Sequence, residues 1–157
     1  MKKVKGFTLI ELLIVIGIIA ILASIIYVSV DPGRRLGEAR DAARWSSVNA
    51  ILNAYLKSTV DQSGTEPASL AADGTKYMVS GSATAGSADC TAAAGAISRI
   101  DLSGLVTSGY LASLPIDEKS SGTDADTQYY ISKAANGRIT VGACAPERTT
   151  TGISVSR

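Results

Sequence analysis

The sequence predicts an α+β protein: a long N-terminal α-helix packed against a small antiparallel β-sheet head with one short extra helix. Three observations carry that reading. A nearly unbroken apolar run extends from Phe7 to Val30, an apolar stripe at helical spacing follows it, and two β-like runs flank Asn136-Gly137. The periods of 3.6 and 2 in those stretches separate helix from strand.

The run from Phe7 to Val30 holds 24 residues, which as a helix rises about 36 Å against a bilayer hydrocarbon core of about 30 Å. It is long enough to span a membrane. One carboxylate, Glu11, lies inside it, and a charge in a membrane-length helix is rarely retained without a partner or a purpose. Lys2, Lys3 and Lys5 precede the run like the basic start of a secretory signal. An ordinary signal, however, has a shorter apolar core that ends in small residues at its cleavage point. Here the small residue, Gly6, comes first, so a cut after it removes only the leader and leaves a new amine at Phe7.

Within the run, Gly17, Ala20 and Ser24 share one helical face, and Ile14, Ile18, Ile21 and Ile25 line another. Small residues favour close approach of membrane helices; the plainer reading is lipid-facing filler. Asp31-Pro32-Gly33 ends the run, because proline removes an amide donor and restricts the residue before it. The helix either kinks there or stops and restarts with Pro32 in its first turn. Val48, Ile51, Leu52, Tyr55 and Leu56 then recur at helical spacing, which predicts an amphipathic helix to about Ser58. Leu36, Ala39 and Ala43 begin that stripe, and Trp45 and Tyr55 are expected to pack against the head.

Four segments follow from this pass: residues 1–6 as leader, 7–30 as apolar helix, 31–60 as amphipathic helix and 61–157 as head. In the head, Asp61 to Thr75 reads as a surface loop and Lys76 to Ser80 as a short strand. Gly81 to Gly95 is almost entirely Gly, Ala, Ser and Thr around Cys90. It is too poor in large apolar groups to pack alone, and a mobile loop pinned at one point is expected. Asp101 is placed as N-cap of a short helix from Leu102 to about Ser108, ended by Gly109. Tyr110, Leu111 and Leu114 lead to Pro115. Thr127 to Lys133 and Arg138 to Ala143 are β-like, and Asn136-Gly137 between them signals an antiparallel hairpin.

Composition removes several functions. The chain carries 15 Lys and Arg against 14 Asp and Glu, and without Lys2, Lys3 and Lys5 its balance is slightly acidic, so nucleic acid is not an expected partner. It has no histidine, the commonest general base and metal ligand. No phosphate-cradling glycine motif is present. No catalytic residue and no cofactor are therefore assigned. Asp117, Glu118, Asp124 and Asp126 could gather oxygen ligands for Ca²⁺, but their spacing is not that of an EF-hand, and no metal site is assigned.

Gly6-Phe7-Thr8-Leu9-Ile10-Glu11, with the lysines before it and the apolar helix after it, resembles the class III signal of type IV prepilins and pseudopilins. The resemblance in layout reaches about Leu56. The phrase Gly109-Tyr110-Leu111-Ala112-Ser113-Leu114-Pro115, with Asp117 beyond it, is also similar to a segment of pilin and pseudopilin heads. Pilin-like chains often carry a helix-breaking proline deeper in the span, whereas here Pro32 is the first.

The resemblance implies that a prepilin peptidase cuts between Gly6 and Phe7 and that the Phe7 amine is N-methylated. It further implies that Glu11 serves assembly of a helical homo-oligomeric filament on a pilus assembly platform, with lipid as the partner beforehand. Two readings of Glu11 stand side by side. It either rests near its own helix start, where the macrodipole and the free Phe7 amine of its own chain offset part of its cost, or pairs with the Phe7 amine of a neighbouring subunit. The arginines of the second helix likewise have two readings. Arg34 and Glu38, and Asp41 and Arg44, fall at pairing distance on a solvated face, or Arg34, Arg35, Arg40 and Arg44 meet acids of adjacent subunits.

Those four arginines follow the span, so a count of basic residues alone does not orient it. The leader and the cysteines instead place the head outside the cytoplasmic membrane, and after assembly on the cell surface. There Cys90 and Cys144 are expected to form a disulfide, worth about 4 kcal/mol in the chain-entropy account; two separate buried thiols are the alternative. The Ser/Thr-rich end from Thr149 to Ser156 suits a displayed surface. The leading function is a structural pilus subunit, and the alternative is a pseudopilin or minor pilin of a secretion or DNA-uptake machine.

Overall fold

The computed structural model describes residues 6–82, 86–117, 119, 122–149 and 152–157. The leader lysines and Glu118 lie outside the described residues. Two compact units divide the chain, Met1–Gly37 and Glu38–Arg157, with the division falling inside the second helix.

In the first unit, α1 runs from Leu9 to Val30 and none of its residues is buried. Its 22 residues rise about 33 Å, and the stretch is long and apolar enough to cross a membrane. Asp31 interrupts it in a left-handed conformation, φ 43° and ψ 78°. A second helix, α2, restarts at Pro32 and continues to Asp61. Of the two readings of the proline, stop-and-restart is the observed one. The Arg34 amide donates to Asp31 Oδ1 at 3.3 Å, so one aspartate ends α1 and caps α2.

The second unit contains the rest of α2 and a six-stranded sheet in the order β2-β3-β1-β4-β5-β6. The strands are β1 Lys76–Ser80, β2 Ser87–Cys90, β3 Gly95–Asp101, β4 Tyr129–Lys133, β5 Ile139–Ala143 and β6 Ser154–Ser156. A short helix, α3, spans Ser103–Thr107. The α+β class with a long N-terminal helix is as the sequence predicts.

Alternation along the central strands builds cores on both faces of the sheet. Val79, Tyr129, Ile131 and Val141 join Val48, Ile51, Leu52 and Tyr55 of α2 in the main core. Met78 and Tyr130 point the other way and pack with Ala88, Cys90 and Cys144. The β2–β3 hairpin covers that second face, and a Cys90–Cys144 disulfide closes it, with Cα atoms 4.8 Å apart. Tyr130 lies across Gly142, where an added Cβ would come within 2.5 Å of the phenol ring. Only glycine leaves room there.

Several local expectations are corrected. The sheet is mixed, because β1 and β3 are parallel in the register Met78↔Arg99. The chain leaves β1, forms β2 and returns as β3, so β3 re-enters beside β1 in the same direction. Gly81 to Gly95 is therefore no single loop: β2 pairs with β3 from Ser87↔Ser98 to Cys90↔Gly95. Backbone pairing and the disulfide supply what its small side chains cannot. Leu102, not Asp101, holds the cap position of α3, although Asp101 Oδ1 accepts from the Ser103 amide at 2.8 Å. Part of the Ser/Thr-rich end is a strand, β6, which pairs with β5 at Val141↔Val155 and leaves Ser154 and Ser156 exposed.

The expected hairpin forms, with β4 and β5 paired from Tyr129↔Ala143 to Lys133↔Ile139. Gly137 adopts φ 82°, a conformation that glycine alone takes without a Cβ penalty. The start of the second stripe is misplaced, because Leu36, Ala39 and Ala43 are exposed while Asp41 and Arg44 are buried. Tyr55 is buried as expected, but Trp45 is 39 % exposed.

Candidate assembly site and the charge cluster of the head

The residues singled out at the N-terminus converge on the first turn of α1. Thr8 is its N-cap and Glu11 its third residue, and the two form a reciprocal capping box. The Glu11 amide donates to Thr8 Oγ1 at 3.3 Å. In return, the Thr8 amide donates to Glu11 Oε2 at 2.8 Å and the Thr8 hydroxyl to the same oxygen at 2.7 Å. Two otherwise unpaired donors of the helix start are satisfied in this way.

Glu11 thus has a local role that the sequence reading assigned only to the helix dipole. Thr8-x-x-Glu11 before an apolar run is the sequence signature of that box. Gly6 and Phe7 precede it in exposed, non-helical backbone, and the Phe7 side chain is 90 % exposed. The Gly6–Phe7 bond therefore sits on an accessible segment immediately before an ordered helix start. A carboxylate held at that start, with a second oxygen free of these bonds, can also accept from an ammonium.

The second concentration of charge lies wholly within the head. Arg44 on α2 is 2 % exposed. Its Nε and Nη2 donate to the two carboxylate oxygens of Asp117 at 2.7 and 3.1 Å, and its Nη1 donates to Asp41 at 2.8 Å. Glu147 accepts from the same Nη1 at 3.1 Å and from Arg40 Nε and Nη2 at 2.6 and 2.5 Å. Asp41 also accepts from the backbone amides of Glu147 and Arg148 at 3.0 and 2.8 Å.

Titration follows from those contacts. Burial pushes Asp41 up, but the Glu147 and Arg148 amides and Arg44 outweigh it and hold the carboxyl below its usual range. The Arg40 hydrogen bond first, opposed by burial and aided by Arg44, brings Glu147 down to about 2. Burial opposes the charge on Arg44, yet its three carboxylate partners raise its affinity for the proton. Asp41, Glu147 and Arg44 therefore stay ionised across ordinary pH.

The expected Asp41–Arg44 pair forms, but the solvated-face reading is corrected for Arg44, which is buried, and both Arg40 and Arg44 meet acids within the chain. Spacing alone could not reveal this, because Asp117 and Glu147 are 73 and 103 residues from Arg44. The Ca²⁺ candidate loses a ligand to the same cluster, since both Asp117 oxygens face Arg44. Among the described residues no group of three or more His, Cys, Asp or Glu side chains is placed to hold a metal ion.

A family model for the prokaryotic N-terminal methylation motif matches residues 1–27. No curated protein and no solved structure matches the chain. The matched segment contains Gly6, Phe7, Thr8 and Glu11 and most of α1, and this motif is the class III prepilin signal of type IV pilins and pseudopilins. The match covers the N-terminal motif alone, and that motif supports a type IV pilin-like or pseudopilin-like protein. The signal implies processing by a prepilin peptidase and filament assembly, and with the apolar helix it indicates membrane anchoring.

Proposed function

We propose that this chain is the structural subunit of a type IV pilus. It enters the cytoplasmic membrane through α1 with its head outside, loses residues 1–6 by cleavage between Gly6 and Phe7, and is methylated on the Phe7 amine. The observation that carries this reading is the first turn of α1: an accessible Gly6–Phe7 bond, a capped helix start bearing one carboxylate, and 22 helical residues with none buried. So much uncovered apolar surface demands lipid or other copies of the same helix.

In the bilayer, α1 is covered by acyl chains. In a filament, neighbouring α1 helices replace them, and the Phe7 amine of one subunit lies against Glu11 of another. A charge in that low-dielectric environment is costly unless matched, so this pair fixes the axial register between subunits. Removing the amine from its peptide bond is what makes the cation available, which couples processing to assembly.

N-terminal mass analysis of assembled material tests this directly. The expected chain begins at a methylated Phe7; filaments that retain Met1 to Gly6 would overturn the proposal. Electron microscopy of cells separates the two machines that use such subunits. Long surface filaments containing this chain are the expected result, and short periplasmic ones tied to protein export would assign it to the pseudopilins instead.

A further inference from the structure

We propose that the Asp41–Arg44 cluster is a clamp for the C-terminal end of the head, so that the described residues 145–149 and β6 open together when it is broken while the rest of the sheet stays paired. The inference is independent of the proposed filament role. It starts from how β6 is held. That strand has three residues, two of them exposed, and pairs on one side only, at the edge of the sheet.

The segment leading to β6 departs from Cys144, which is fixed by the disulfide and by its amide bond to Gln128 O at 2.9 Å. Three residues later the chain meets Asp41, whose two oxygens accept two successive amides, those of Glu147 and Arg148. Arg40 and Arg44 then grip the Glu147 carboxylate, and Asp117 holds Arg44 from the opposite side. Beyond the clamp, Thr149 Oγ1 is buried without a hydrogen-bond partner, a mark of an imperfectly satisfied stretch. Among the described residues that follow, Ile153 is 1 % exposed and its carbonyl accepts from the Ala143 amide at 2.9 Å.

A three-residue edge strand, held on its one paired side by β5 and by side-chain bonds from Ser156 to Thr140 and from Arg157 to Asn53, belongs to the low-stability end of a fold, where opening is local. In this head the Asp41 carboxylate sets how often that opening occurs. Asp41→Asn keeps the shape but turns a donor toward one of the two amides.

Hydrogen exchange on the full-length chain in detergent micelles reads the outcome. In Asp41→Asn the amides of Ile139, Ala143 and Arg157, which bond across β5 and β6, are expected to exchange at least tenfold faster at neutral pH. Amides of β1 and β4 are expected to keep their rates. Trypsin should also cut after Arg148 at least tenfold faster, with the cut after Arg138 unchanged. Unchanged exchange at β6, or an equal rise across all strands, would overturn the clamp. Should Asp41→Asn fail to fold, Glu147→Gln serves: the same three amides must accelerate by a smaller factor, and a flat response there rejects the proposal.

Discussion

The helix α1 and the head treat charge in opposite ways. Over 22 residues α1 carries one ionisable side chain of acidic type, Glu11, on a surface with nothing buried. The head takes a guanidinium and two aspartates almost fully out of water and matches them with one another. In the first case the partners within the chain are a backbone amide and a hydroxyl; in the second they are full opposite charges. The contrast teaches where each unit completes itself. The head satisfies its own electrostatics, whereas α1 leaves its apolar surface and part of its carboxylate to the surroundings.

The largest effect that could break this comparison is at Glu11. Glu11→Ala is expected to leave cleavage after Gly6 intact and to abolish filaments, measured as the sheared filament yield beside the mass of the processed subunit. Glu11→Gln sharpens the point, because an amide can still accept the Thr8 bonds but carries no charge. If assembly needs the charge, Gln fails like Ala; filaments from the Gln variant would reduce Glu11 to a helix cap.

Next comes Arg44→Met, which strands Asp41 and Asp117 without their cation. Breaking a buried pair costs about 3–5 kcal/mol, and the melting temperature of the head is expected to drop by ten degrees or more, on the order given by domain-size scaling. A variant that melts like the parent would show that the head does not depend on its internal pairing. Reduction of Cys90–Cys144 is expected to cost about 2–4 kcal/mol and to loosen β2 and its following turn first, seen as faster proteolysis of residues 87–95.

The smallest effect is at the rim. Arg40→Ala removes a pair whose cation is 37 % exposed, and water screens such pairs so that they contribute little. The same rim sets an acid limit. Glu147 is depressed from 4.5 to about 2, so its contribution is complete above its unfolded value and is lost as pH falls from about 4.5 through about 2. Asp41, lowered in the same direction, reinforces that sign. Acid titration by circular dichroism should show a head steady from neutrality to about pH 4.5 that weakens below it, and Arg40→Ala should move the decline to higher pH.

Much of this architecture was legible from local pattern. Phe7 to Val30, the stripe through Val48, Ile51, Leu52 and Tyr55, and the Asn136-Gly137 hairpin each depend on neighbours in sequence. The parts that escaped depend on distant partners. Ala96, Ile97 and Ile100 in β3 look unremarkable until β1 and β2 flank them, and Ser154 to Ser156 is polar enough to pass for a tail.

Spacing shows only the Asp41 partner of Arg44; its other carboxylates come from the loop at Asp117 and from Glu147. The N-terminal site was the reverse. Gly6, Phe7 and Glu11 lie within six residues, so their order is readable directly, whereas the capping box between Thr8 and Glu11 is not among the sequence expectations.

The β2 strand has a consequence for how this surface can change over time. Its inward residues, Ala88 and Cys90, are buried, and Ser87 and Asp89 face out. Because a covalent bond rather than bulky side chains fastens this flap, the outward positions bear little structural duty. Mutations can accumulate there while the two inner anchors are kept. The outward chemistry of β2 can drift without disturbing the frame beneath.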